Sequence, residues 1–179
     1  FKFSYTNDSE ADVSFSHTFV NERVTAKIFL KKKDAETNKA EPQGDATLEK
    51  AVYGLYARED IVHPDGATGV IYKAGDKVAS LTTNEKGEAV AENLYLGKYF
   101  VKEITPPTGY LTDKSEYDLV CDYEGDLVAV VERSCTSLEQ VKKQPFQIIK
   151  AANNGNTDAA LLEGAGFTAY LVSSLTVKE

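Results

Sequence analysis

Apolar and polar residues alternate with a period of two along most of this chain, in short runs broken by turn residues. Phe1, Phe3 and Tyr5 fall on one side of a run, and Val13, Phe15 and His17 do the same after a turn at Asn7-Asp8-Ser9. Residues 24–33 continue the pattern, with Ile28, Leu30 and Lys32 on one face, and end at the turn Asp34-Ala-Glu-Thr-Asn38. Ala51, Tyr53 and Leu55 share a face of the next strand. Short strands follow at 70–72 and 78–83, then the strong turn Asn84-Glu-Lys-Gly87 and a run through Ala89, Ala91 and Leu94. Residues 98–103 read as a strand with Tyr99, Val101 and Glu103 on one face, broken by Pro106-Pro107-Thr-Gly109. Residues 117–121 and 127–132 read as a hairpin across Tyr123-Glu-Gly-Asp126. No stretch carries the period of a long amphipathic helix. Many short strands at regular turn spacing predict an all-β sandwich or barrel.

Composition agrees with that prediction and removes several functions. Of 179 residues, 42% are hydrophobic, which is enough to fill a core. Met and Trp are absent, and 10 Tyr and 8 Phe supply the rings that pack well on pleated surfaces. A net charge of -8 argues against nucleic acid and against an anionic membrane face. The cluster Lys31-Lys32-Lys33 reads either as a solvated strand edge or, for Lys32, as chemistry. No apolar run reaches the ~20 residues that span a bilayer. The chain opens on a strand pattern at Phe1 with no leader, and reads as a stretch cut from something longer. Cys121 and Cys135 are too few for a disulfide scaffold; they are either one bridge or two free thiols. His17 and His63 lack metal-ligand spacing, and Asn153-Asn-Gly-Asn-Thr-Asp158 reads as a turn. With no phosphate loop and no nucleophile elbow, neither a cofactor nor an enzyme activity is expected.

The chain also repeats itself. Phe146-Gln-Ile-Ile-Lys150, a polar loop and Leu162-Glu-Gly-Ala-Gly-Phe-Thr-Ala-Tyr170 echo Ile28-Phe-Leu-Lys-Lys32, its loop and Leu48-Glu-Lys-Ala-Val-Tyr-Gly-Leu-Tyr56. Asn21-Glu22-Arg-Val24 similarly matches Leu138-Glu139-Gln-Val141. The period is roughly 115–118 residues, the size of a small domain. Residues 1–24 therefore read as the last strands of a preceding β-domain, 25–144 as one complete domain, and 145–179 as the first strands of a following one.

Three elements in order carry a family resemblance. They are Lys32-Lys-Asp34 with Glu36-Thr37-Asn38, then Ala51-Val-Tyr-Gly-Leu-Tyr56, then Asn84-Glu-Lys-Gly87 with Asn93-Leu-Tyr-Leu-Gly97 and Lys102-Glu103-Ile-Thr-Pro-Pro107-Thr-Gly109-Tyr110. This order resembles the collagen-adhesin B-type, SpaA-like (prealbumin-like) repeat domains of Gram-positive surface proteins and pilins. The resemblance implies an extracellular immunoglobulin-like β-sandwich of reversed topology, standing in series on the cell wall of a Gram-positive bacterium. It also implies an isopeptide bond between a first-strand Lys and a last-strand Asn, promoted by a buried acid. By position, Lys32 is the amine and Glu103 the acid of the complete unit. Lys150 is the amine of the following unit, and Asn21 the amide of the preceding one. The sequence departs from the pattern near Leu138, where the complete unit should carry its Asn. None occurs between Asn93 and Asn153. Either the bond is absent and Lys32 forms an ion pair with Glu103, or its partner is an Asp or a shifted residue.

Two functions fit: a structural stalk or pilin module whose partners are neighbouring repeats, or an adhesin module that grips a host extracellular protein through its loops. The insert at 57–78 is the candidate gripping element, with Ile61, Val62, Ile71 and Tyr72 as contacts. The cut terminal strands are further candidates for pairing with one another, within or between chains.

Overall fold

The computed structural model describes Thr18, residues 22–148, Gly164 and residues 166–169. The chain divides into two compact units, Phe1–Lys142 and Lys143–Glu179. The strands expected at 1–17, together with Asn21 and Lys150, lie outside the described residues.

Nine strands are found among the described residues, and the first sets the frame. In β1 (Thr25–Asp34) every second residue is buried: Ala26, Ile28, Leu30, Lys32 and Asp34. Strict alternation is what a strand with one face against a core requires. β1 lies in the middle of a three-stranded sheet, antiparallel to β6 (Glu88–Leu94) and parallel to β9 (Val130–Glu139). Its lysine cluster is therefore not on a sheet edge: Lys31 pairs outward with Glu88 at 2.5 Å, while Lys32 points inward and is 0% exposed.

The second sheet runs β5 (Lys77–Thr82), β2 (Val52–Ala57), β7 (Gly97–Thr105), β8 (Glu116–Cys121), all antiparallel. Between the sheets Ile28, Leu30 and Val131 meet Tyr53, Leu55, Leu81, Tyr99, Val101 and Leu119. Each such aliphatic side chain contributes about 1.5–3 kcal/mol by leaving water. A two-stranded piece, β3 (Ile61–Val62) with β4 (Val70–Tyr72), fills the insert after β2.

One pairing differs from the expectation. β8 and β9 are not a hairpin: β8 pairs with β7 in one sheet and β9 with β1 in the other. β9 also extends to Glu139, well past the expected end at 132. Its inward face carries Cys135, Ser137 and Glu139 after Val131, so the hydrophobic alternation that marks a strand fades along it.

The parallel pairing of β1 with β9 has a geometric consequence. Thr25 lies opposite Val130 and Asp34 opposite Glu139. The chain thus comes in at one end of this ladder and leaves at the other, about 33 Å away for ten residues at strand rise.

Candidate functional site

At the far end of the ladder the core turns polar. Lys32, 0% exposed, projects from β1 into the space between the sheets. Its backbone is fixed from the neighbouring turn, where Lys32 N–H donates to Gly87 O at 2.7 Å. Gly87 has φ +70°, and a Cβ there would lie 2.9 Å from Lys32 O. Only glycine fits this close approach without strain.

Two carboxylates flank the ammonium. Glu103 from β7 places Oε1 3.6 Å from Lys32 Nζ. Glu139, at the end of β9, is in direct contact with Nζ through its Oε1. The same Oε1 accepts a 2.5 Å hydrogen bond from the Tyr53 hydroxyl of β2, and Ser137 Oγ lies 3.4 Å away. Glu103 is held from behind, where Asp113 N–H donates to its Oε2 at 2.7 Å. Asp113 in turn accepts from Tyr117 OH at 2.5 Å and from Ser137 Oγ at 3.1 Å. The Tyr110 ring closes the site, its centroid 5.1 Å from Nζ.

Burial sets the protonation. It pulls Lys32 down to about 8, against the pull of Glu103, which favours the charged form. Burial pushes Glu103 up from the usual carboxylate range, only partly offset by the Asp113 amide and by Lys32. Tyr53 is raised strongly by burial and stays a hydrogen-bond donor. A lysine that gives up its proton more easily than usual therefore touches one carboxyl group and stands beside another that holds its proton more readily than a free carboxylate.

The contrast with Asp34, two residues along the same face, is instructive. Asp34 is equally buried, but accepts from Glu36 N–H, Thr37 N–H, Gln43 Nε2 and Tyr110 OH. Burial alone would raise its pKa; those bonds outweigh it and hold it low. In the lysine site, Lys32 Nζ and Glu103 Oε1 have only the ion-pair contacts among Lys32, Glu103 and Glu139, and Glu139 Oε2 has no hydrogen-bond partner among the described residues. Asp34 is a satisfied structural pin, whereas the lysine site keeps unspent polar groups, which buried sites rarely do without a reason. An amine, a carboxyl carbon and a second carboxyl whose proton affinity is raised by burial are the components of amide formation.

The structure brings Lys32 and Glu103 together as the sequence implied, and adds Glu139, Tyr53, Ser137 and Asp113, which the sequence reading did not single out. Leu138, where the amide was sought, points outward and is 48% exposed; the next residue, Glu139, takes the inward place. Cys121 and Cys135 are free thiols, on strands of different sheets. Burial raises both, Cys135 to about 11. Of the insert contacts, Ile61 is a core residue at 2% exposure, packed under Gly97, and Tyr72 packs against the core. Ile61 is unavailable as an exposed grip because the two-stranded insert needs an apolar underside, while Tyr72 is half-buried. Ile71 is half-buried, and Val62 is exposed. Among the described residues no group of His, Cys, Asp and Glu is placed to hold a metal, and no helix is long and apolar enough to cross a membrane.

Residues 8–133 match the family model of the SpaA prealbumin-like fold domain. Among solved structures the chain is similar to the Bacillus anthracis TIE protein, with 20% identity, a TM-score of 0.44, and coverage of 66% of this chain and 18% of that one. It is also similar to the group B streptococcus pilus 2b backbone protein, with 18% identity, TM-score 0.45, and coverage of 68% and 43%. A third is the Corynebacterium diphtheriae major pilin SpaA, with 17% identity, TM-score 0.44, and coverage of 65% and 30%. The chain spans less than half the length of each of these proteins. No curated protein matches it. The family match covers well over half of the sequence, and the chain belongs to the SpaA prealbumin-like domain family.

Proposed function

We propose that the domain is a structural module of an extracellular stalk or pilus on a Gram-positive cell wall, and that Lys32 and Glu139 join as an amide that ties its first strand to its last. The observation that carries this reading is the contact of Lys32 with Glu139 on parallel neighbours, in a module the chain enters and leaves at opposite ends. Tension along such a chain shears β1 against β9. A bond at Lys32 takes that load at the far end of the ladder, and the residues between 32 and 139 are bypassed.

The chemistry balances without a cofactor. The neutral Lys32 amine attacks Cδ of the Glu139 carboxyl, forming the C–N bond. Tyr53 OH donates to Oε1, where negative charge develops. Glu139 reacts as the neutral acid with its proton on Oε2; Glu103 takes one proton from Nζ and delivers one to Oε2, which with the proton it already holds leaves as water. The reaction occurs once per chain, so it is self-modification and not turnover. By analogy with a disulfide closing a loop of this length, the tie stabilises by roughly 4–5 kcal/mol through the unfolded state.

Pulling single chains by their termini tests the function. The account expects the module to yield no extension from residues 33–138 at forces that unfold ordinary β-sandwiches. Release of the full contour length of the module would overturn it.

A further inference from the structure

We propose that Asp113 is the positioning residue of the lysine site: it pins Glu103 as the proton carrier and leaves Glu139 as the acid whose carbon Lys32 attacks. This role rests on the amide reading of the site and explains which of two buried glutamates is joined.

By placement alone either acid could react. Both are buried, and both lie within ion-pair reach of Lys32 Nζ. Attack on either Cδ would form a C–N bond and expel one water. Their hydrogen bonds separate them. The oxygen that leaves must collect protons and come free. Glu103 Oε2 is pinned by the Asp113 N–H at 2.7 Å, with its Oε1 3.6 Å from Nζ. Glu139 touches Nζ, and its Oε2 has no hydrogen-bond partner among the described residues.

Asp113 also reaches the second acid. Ser137 Oγ lies 3.1 Å from Asp113 Oδ2 and 3.4 Å from Glu139 Oε1, and it has one proton to give. Burial alone would raise Asp113; bonds from Tyr117 OH, Ser115 N–H and Ser137 outweigh it and hold it low. The ionised Asp113 takes the Ser137 proton in the shorter, charge-assisted bond. Glu139 Oε1 is left to the Tyr53 hydroxyl. The same stretch fixes β9 past Glu139. Leu111 N–H donates to Gln140 O at 2.9 Å, and Lys142 N–H to Gly109 O at 2.7 Å. Residues 109–113 thus set the carboxyl groups of β7 and β9 against one amine.

Two variants of the full chain test this. Each chain is purified unfolded in denaturant, where the site does not exist. Linking is then followed by intact mass after dilution into buffers of set pH. Fragmentation of the digest tells a Lys32–Glu139 link from a Lys32–Glu103 link, which lose the same one water. Asp113→Ala cuts the ties that hold the stretch. It is expected to link about 10–100-fold more slowly, with part of Lys32 joined to Glu103. Asp113→Asn keeps the N–H and an acceptor for Ser137 and Tyr117, and removes only the charge. It is expected to restore the single Lys32–Glu139 product, with fastest linking at lower pH than in wild type.

The sign of that shift follows from the groups around the amine. Lys32 from β1 faces Glu103 from β7, Glu139 from β9 and Asp113. The Tyr53 and Tyr117 hydroxyls are bound to Glu139 and Asp113, and the Tyr110 hydroxyl to Asp34. The Asp113 charge raises both Lys32 and Glu103, so without it both lose their protons at lower pH. Wild-type rate, product and pH dependence in both variants would overturn the proposal, even if their thermal midpoints fell. Should Asp113→Ala not fold, the pH of fastest linking in Asp113→Asn decides. A wild type that never loses water would overturn the amide reading, and this role with it. A wild type that links, beside unchanged variants, would overturn this role alone.

Discussion

Lys32 and Glu139 meet diagonally: the α-carbon of Lys32 lies opposite Ser137, and its side chain reaches the next inward residue of β9. The end of β9 is strapped by the 106–111 loop, whose Tyr110 bridges to Val141 and whose Leu111 N–H donates to Gln140 O at 2.9 Å. The site sits at the end of the ladder where the chain leaves β9.

The identity of the acyl partner can be read from what is expelled. In Glu139→Gln the same attack on Cδ releases ammonia instead of water. This variant is expected to form the bond and to be lighter than its calculated mass by one ammonia. An unshifted mass for Glu139→Gln, alongside a shifted wild type, would show that Cδ of residue 139 is not the carbon attacked.

Removing the amine is expected to be costly. Lys32→Met cannot form the bond and leaves Glu103 and Glu139 buried without a cation. Breaking a buried pair in this way typically costs 3–5 kcal/mol, an order-of-magnitude figure to which the lost cross-link adds. Chemical denaturation should show a large fall in midpoint. A variant as stable as wild type would mean that the lysine neither cross-links nor neutralises its neighbours.

The pH dependence separates the open site from the closed one. While Lys32 is an amine, burial holds it at about 8, against 10.5 when unfolded. Between those values the unfolded chain binds a proton that the folded chain does not, so stability rises with pH across this window. Glu103 works the other way. Its pKa is raised, so its contribution is full below 4.5 and is lost as pH rises through the folded value. Once Lys32 is an amide it no longer titrates. Glu103→Gln, which removes the proton carrier and leaves the amine in place, is expected to gain stability as pH rises toward 10.5. Wild type should stay flat there; a matching Lys32-dependent rise in wild type would mean an open site.

Gly87→Ala is predicted to disturb the site through the backbone. It forces a side chain onto φ +70° and places Cβ 2.9 Å from Lys32 O. The expected loss is about 1–3 kcal/mol, measured by urea unfolding. A change within error would mean that the turn shifts without moving Lys32.

Much of this was legible in the sequence, and the exceptions have a physical cause. Lys32 and Glu103 were placed inward because each continues an apolar face by steps of two, after Ile28 and Leu30 and after Tyr99 and Val101. Glu139 is not legible in the sequence because β9 runs out of apolar residues after Val131, and because the family pattern points to an amide near Leu138. The signal was present: steps of two from Val131 reach Cys135, Ser137 and Glu139. The expected hairpin of β8 with β9 failed for a related reason. A short turn between two strand-like runs does not reveal that they belong to opposite sheets. Ile61 was read as a surface contact because a two-residue strand is too short to display its alternation.

The most direct test of the account is the intact mass of the purified chain, followed by fragmentation of its digest. The account predicts a mass one water below the calculated value and a branched peptide joining Lys32 to Glu139. The full calculated mass, with residues 32 and 139 recovered on separate linear peptides, would contradict it.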